Sequence, residues 1–495
     1  MARLPFFLRR GCHRSADPVS SMPNAEDHPA SPHSFHKDAR AIFAHALDAC
    51  RIERVFDERV RCEGATLVVE HSPLIQPPIP VIHIDLSSYS KTLIIALGKA
   101  AVPMTESLLG ILPRKLRVRG ICSAPAKPAR RDWRIRYYAG GHPLPNQDSF
   151  RAARTALRLL RRASDNTFVI YLISGGGSTL FDLPLDPDIS LADTIAFHHA
   201  LIASGATIAE VNTLRKHFSA VKGGRLATAA PQAVKLTLQV VDVPWQHADA
   251  VASGPTLADS STVDDCRKLL DRYGLLEKFP PGVRRFFTQS NLPETPGDKA
   301  ALKRNAEQAR MASPGQDANW LATLLSESDL LRAAQEKAAS LGYEIVVDNG
   351  CDDWPYEKAA AYLVDRLIEL RRQHPGRKLC LLSGGEVTVR IDRTPGTGGR
   401  NQQFALACAL LFERHLPGEP VVCLSAGSDG ADGNSPAAGA IADPATVARA
   451  QALGFHPQAA LAAFDSYPLF TALGDALLIG PTGNNLRDLR ILLGA

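Results

Sequence analysis

Short runs of apolar, β-branched residues recur along the chain, each ending in a Gly, Ser or Asp turn and followed by an Ala/Leu/Arg-rich helical pattern. The clearest are TLIIALGK (92–99), TFVIYLISGGGS (167–178), KLTLQVVDVP (235–244), KLCLLSGGE (378–386), PVVCLSAGSDG (420–430) and ALLIGPTG (476–483). Runs with no polar alternation suit strands buried on both faces, and their alternation with helices predicts an α/β fold with a mostly parallel sheet. Ligands of such sheets bind beyond the carboxyl ends of the strands. The glycines and charged residues of these runs fall there, so the pattern locates the chemistry.

The helical pattern starts near Asp38, and Thr207 with Glu210 forms a capping box opening IAEVNTLRKHFSAV, which Gly223-Gly224 is expected to close. Residues 280–328 show little periodicity and read as a connection; helices at 329–341 and 356–373 flank the short strand EIVVDN. The expected organisation is a disordered extension (1–36), a larger Rossmann-like domain (37–279), an interdomain stretch with connecting helices (280–376) and a smaller α/β domain (377–495), with the active site in the cleft between the two domains.

The chain has 495 residues, 45% apolar and 22% charged, which excludes collagen-like, coiled-coil and wholly disordered classes. The formal net charge is +5, and no concentrated basic stripe is read in the sequence, so an enzyme of anionic substrates is expected and nucleic acid is not. The nine cysteines include no C-x-x-C pair, and Cys380 and Cys423 lie in apolar runs, which suggests a reducing compartment without structural zinc. No window of about 18 apolar residues predicts a membrane span. The expected location is the cytoplasm, or the mitochondrion if the basic start MARLPFFLRRGCHRS acts as a transit segment.

Six motifs carry candidate chemistry, five of them with a plainer reading beside the functional one. Ser174-Gly175-Gly176-Gly177-Ser178 lets a backbone approach an anion closely, or is an ordinary strand-to-helix turn. Lys99 follows a buried strand and can neutralise a phosphate or carboxylate, or is a solvated strand-end lysine. Gly396-Thr397-Gly398-Gly399-Arg400 feeds a helix N-terminus suited to an anion. Asp429 and Asp432 could hold Mg2+ or take a proton from an alcohol, or form an Asp/Gly turn. Asp242 and Glu386, each at a strand end, are open to the same two readings. No Walker A loop, G-x-G-x-x-G fingerprint, G-x-S-x-G elbow or protein-kinase signature is present.

Taken together, LGKAA (97–101), AGGHPLP (139–145), LISGGGSTLFDLP (172–184), GATIAEVNTLRKHFSAVKGGRLA (205–227), VVDVP with VASGPT (240–256), LSGGEVTVR (382–390), GTGGRNQQFALA (396–407), SAGSDGADG with AAGAIAD (425–443) and GPTGNNLRDL (480–489) resemble the glycerate 2-kinase family, with its MOFRL C-terminal domain. The resemblance covers about 38 to 490. It implies transfer of the ATP γ-phosphoryl group to the 2-hydroxyl of D-glycerate with Mg2+, giving 2-phosphoglycerate. It also implies Lys99, Arg400 and Asp429 as the catalytic set. Ser174, Gly175, Gly176, Gly177, Ser178, Asp242, Asn212, Lys222 and Glu386 are implied to contact the nucleotide, with Asp242 and Asp429 toward the metal. Two departures stand out: Trp245-Gln246-His247 replaces the family's Gly and acidic residues, and Ser326-Glu327-Ser328 replaces a Ser-Asn-Arg-like signature, so that an Asn contact is lost or replaced by Ser328. The alternatives are a hydroxypyruvate reductase, a kinase of a related hydroxy-acid and a non-catalytic metabolite-binding relative. A homodimer is compatible with all of them.

Overall fold

The run KTLIIAL forms a strand whose residues are buried beyond its first lysine, and TFVIYLI forms one buried along its whole length. Such strands need helices on both faces, and the computed structural model supplies them. It describes residues 32–75, 79–243, 250–297, 319–391 and 394–495. The departure at Trp245-Gln246-His247 lies outside the described residues, as does most of the expected N-terminal extension.

A small antiparallel sheet comes first: β1 (Val60–Glu63), β2 (Thr66–Val69) and β3 (Ile82–Asp85). The larger sheet contains β4 (Lys91–Leu97), β5 (Val118–Ala124), β6 (Ile135–Ala139), β7 (Thr167–Ile173), β8 (Val234–Val240) and β9 (Asn319–Leu325). Its spatial order is β6-β5-β4-β7-β8-β9, with every pair parallel. The chain builds outward from β4 in one direction and then, from β7, in the other. The crevice between the ends of β4 and β7 is therefore the topological switch point, the usual ligand position in such a sheet. Alternate residues serve the two faces: Ile94, Phe168 and Ile170 enter one apolar cluster, and Leu93, Val169 and Tyr171 another.

The second sheet contains β10 (Glu344–Val347), β11 (Leu379–Ser383), β12 (Val421–Gly427), β13 (Gly439–Ala442) and β14 (Asp488–Gly494), in the order β10-β11-β14-β12-β13. The last strand runs antiparallel between β11 and β12, so their carboxyl ends meet its amino end on one edge.

Three expectations change. ALLIGPTG is not a strand: only Ala476 makes an isolated bridge, and Leu478 and Ile479 are exposed. The central strand is DLRILLG instead, whose buried Asp488 and Arg490 disguise it. The helix opened by the Thr207 capping box ends at Phe218, not at Gly223-Gly224, because the chain turns extended at Ser219; Gly224 instead caps the short helix Arg225–Thr228. The stretch read as a connection contributes β9 to the larger sheet, and its helix Pro281–Thr288 buries Val283, Phe286 and Phe287.

The two sheets share one apolar cluster, which includes Leu236, Leu324, Leu424 and Ile491. Between them, Asp329 of the helix Glu327–Ser340 is buried, accepting from Arg59 at 3.0 Å and from Ser72 at 2.8 Å. Among the described residues no helix is long and apolar enough to cross a membrane.

Candidate functional site at the junction of the two sheets

Lys99 leaves β4 through Gly98, whose φ is +118° and where an added Cβ would overlap Ser174. Only glycine fits that close approach. It lets the Ser174 hydroxyl accept from the Ala100 N–H at 3.0 Å, while the Lys99 N–H donates to the Gly175 carbonyl at 2.8 Å. The lysine is thereby aimed out of the switch point, and its Nζ lies 2.8 Å from Asp429 Oδ2 in the turn after β12. This pair joins the two sheets. Both side chains remain about a quarter exposed, at 25% and 24%, so solvent or a ligand can reach them.

The glycine loop after β7 lies alongside. A Cβ on Gly175 would overlap the Asp242 carboxyl group. The backbone N–H groups of Gly175, Gly176, Gly177 and Ser178 donate to nothing among the described residues. At the loop's end, the Ser178 hydroxyl lies 2.8 Å from that of Ser253, which donates to Asn212 Oδ1 at 3.1 Å. Asn212 thus supports the loop through Ser253, which is held at φ +61°.

Arg400 makes a fork on Asp488, with Nε at 2.6 Å and Nη2 at 2.9 Å, and also reaches Glu386 at 2.9 Å. Beside it, the buried Arg487 forks onto Asp352 with two 2.7 Å bonds and touches Glu327 at 3.3 Å. Arg487 holds φ +69°, an unfavourable backbone for a long side chain that its ion pairs keep in place. Three cations (Lys99, Arg400 and Arg487) therefore meet six carboxylates (Asp242, Glu327, Asp352, Glu386, Asp429 and Asp488). Burial, helped at Glu386 and Glu327 by a neighbouring carboxylate, raises the proton affinities of three of these acids. Burial raises the Asp242 carboxyl to about 6, against the opposing Lys99 and Arg487. Burial and then Asp488 raise Glu386 to about 7. Burial also raises Glu327.

Two expected site features are taken up internally. The helix Arg400–His415 was read as presenting its N-terminus to an anion, but Asp432 Oδ1 accepts from the Asn401 N–H at 3.0 Å and Asp432 Oδ2 from the Gln402 N–H at 2.9 Å. That carboxylate occupies the positive end of the helix. Lys222, read as a nucleotide contact, is buried against Asp182, which also accepts from Ser219 at 3.1 Å and lies 2.8 Å from His198 Nε2. Burial alone would raise the Asp182 carboxyl; the Lys222 ammonium and the His198 ring together more than reverse this.

The structure thus brings together Lys99, Asp429, Asp242, Glu386, Arg400 and the loop 174–178, with Asn212 one contact behind and Lys222 turned inward. Arg487, Asp488, Asp352 and Glu327 had escaped notice. Arg487 and Asp488 stand in the tail motif NNLRDL and could have been singled out there; Asp352 has no local signal. At the second departure, Ser328 is exposed, while its neighbour Glu327 accepts from the Gly385 N–H.

Two family models match the chain: a domain of unknown function (DUF4147) over residues 38–288 and the MOFRL family over residues 379–488. A D-glycerate 2-kinase of Thermotoga maritima is 32% identical over 419 residues, covering 84% of this chain and 93% of the relative. A putative hydroxypyruvate reductase of Agrobacterium vitis is 34% identical over 407 residues, covering 81% of this chain and 87% of that protein. The crystal structure of glycerate kinase from Thermotoga maritima superposes with a TM-score of 0.73 at 30% identity, covering 94% of this chain and 100% of the other. With matching models on both sheets and relatives aligned over most of its length, the chain belongs to the glycerate 2-kinase family.

Proposed function

We propose that the protein is an ATP-dependent kinase that transfers the γ-phosphoryl group to the 2-hydroxyl of D-glycerate, releasing ADP and 2-phosphoglycerate. The observation that carries this reading is the Lys99–Asp429 pair, which joins the switch point of the larger sheet to the turn after β12. A bond forms between the 2-oxygen and the γ-phosphorus as the bond from that phosphorus to the β–γ bridging oxygen breaks. Such transfer needs alignment and charge neutralisation more than covalent help. The free N–H groups of the loop 174–178 hold phosphate oxygens, and Lys99 turns from Asp429 to the γ-phosphate. Asp429, released from the lysine, orients the 2-hydroxyl and takes its proton. Arg400, held by Asp488 and Glu386, adds positive charge to the transferred group.

Among the described residues no group of three or more acidic, cysteine or histidine side chains is arranged to hold a metal ion. The residues thus provide no built cage, and no step is assigned to a protein-held metal. The surplus carboxylates favour a cation, and Mg2+ usually keeps several waters and binds through one or two carboxylates plus substrate phosphates. Asp242 is the proposed carboxylate, with Asp429 used instead as the base.

The test is incubation with ATP and D-glycerate, following ADP release and assigning the product by phosphorus NMR. ADP and 2-phosphoglycerate are expected. Absence of ADP, with NADH oxidised in the presence of hydroxypyruvate, would overturn the kinase reading in favour of the activity named for the Agrobacterium relative. The turn after β4 reads Gly98-Lys99 and carries no dinucleotide fingerprint.

A further inference from the structure

The candidate site occupies the carboxyl ends of the parallel strands. At the opposite end of the same sheet, about 20 Å away along a seven-residue strand, a cavity of about 520 Å³ opens between the starts of β5 and β6 and the end of the helix Gln147–Leu160. Its walls include Arg119 on β5, Arg136 on β6, Arg158 in the last helical turn and Arg162 just beyond it. Three segments distant in sequence thus converge on one hollow. Arg134, also on the wall, forks onto Asp132 at 2.9 and 2.7 Å. Among the described residues, the other four guanidinium groups have no carboxylate or hydrogen-bond partner. Lys91, at the start of β4, feels them: burial first, then Arg119 and Arg162, push its ammonium below the usual range. At the cavity wall stands Trp133, 89% exposed, with its ring open to solvent.

Edge strands carry charge to discourage pairing, and helix C-termini favour cations. Neither explains an indole left in water beside a cavity. Four unpaired guanidinium groups match the about four negative charges of a nucleoside triphosphate, and their planar forks suit phosphate oxygens. An exposed indole gives a base a stacking face. The cavity has the volume of a small-molecule site, about 300–1,000 Å³. We propose that this cavity is a second ligand site, for a nucleoside polyphosphate held by Arg119, Arg136, Arg158 and Arg162 and stacked on Trp133.

The test is titration of the full chain with adenylyl imidodiphosphate, a non-hydrolysable ATP analogue, read by tryptophan fluorescence. A quench that disappears in Trp133→Leu is expected, with an apparent Kd about tenfold weaker or worse in Arg158→Gln/Arg162→Gln. Turnover of D-glycerate should be unchanged in that double variant, which also reports that it folds. The quench should persist in Lys99→Ala, so failure of the kinase reading and failure of this one are distinguishable. No Trp133-dependent quench overturns the proposal. Inorganic tripolyphosphate binding as tightly as the analogue, with the affinity for the analogue by equilibrium dialysis unchanged in Trp133→Leu, overturns it in favour of a charge-only surface. Tighter binding of single-stranded oligothymidylate than of the analogue overturns it in favour of nucleic acid.

Discussion

In the junction between the sheets every lysine and arginine of the network faces a carboxylate; at the far end of the larger sheet four arginines face none among the described residues. Partners within the fold hold Arg400 and Arg487 in fixed directions before any ligand arrives, which is the arrangement that stabilises charge developing in a transition state. Arg158 and Arg162 are exposed at the end of their helix, with no carboxylate partner among the described residues. The same residue type is therefore held by carboxylates of the fold in one region and left without them, among the described residues, in the other.

The largest effect is expected from Lys99→Ala. Loss of a charge donor at the reacting group should lower kcat by about 10²–10³, and the half-open lysine should leave thermal unfolding nearly unchanged. Near-normal ADP release would remove Lys99 from the catalytic set. Arg400→Ala comes next and should act twice. Turnover falls with the loss of its charge, and removal also strands Asp488, whose side chain is 1% exposed. A stability loss of about 2–3 kcal/mol in urea unfolding is expected, below the range for fully buried pairs because Arg400 is itself partly solvated.

A subtler effect is the pH dependence of the acidic surplus. Glu386, raised to about 7 by burial and then Asp488, holds its proton more tightly folded than unfolded. Its contribution to stability is fully present below the ordinary carboxylate range and lost as pH rises through about 7. Urea midpoints measured at acid and neutral pH should therefore fall less in Glu386→Gln than in the unsubstituted chain. An identical fall in both would refute the assignment. The smallest effect is Arg158→Gln, expected within about 0.5 kcal/mol of unsubstituted stability. A loss as large as that of Arg400→Ala would show that the two regions do not differ as described.

Three strands of the larger sheet, β4, β7 and β8, were readable because each is a local apolar run buried on both faces, and Lys99, the glycine loop and Asp429 were readable because each ends such a run. What failed had non-local causes. DLRILLG hid as a strand because its charges point into partners far away: Asp488 to Arg400, and Arg490 to the Gly384 carbonyl. The helix N-terminus at Arg400 looked open because its capping Asp432 lies in a different turn. Lys222 looked functional because its partner Asp182 is 40 residues away. The arginine cavity escaped a search for a basic stripe because three short segments supply it and the net charge of +5 conceals it.

Apolar periodicity and the turn residues thus dictated an α/β chain with its chemistry beyond the strand ends, since burial on both faces and backbone freedom are properties of a few neighbouring residues. Which charges pair, which remain free and which carboxylates hold their protons near neutrality was decided only by folding. Those outcomes depend on burial and on partners that the antiparallel entry of β14 and the meeting of the two sheets bring within reach.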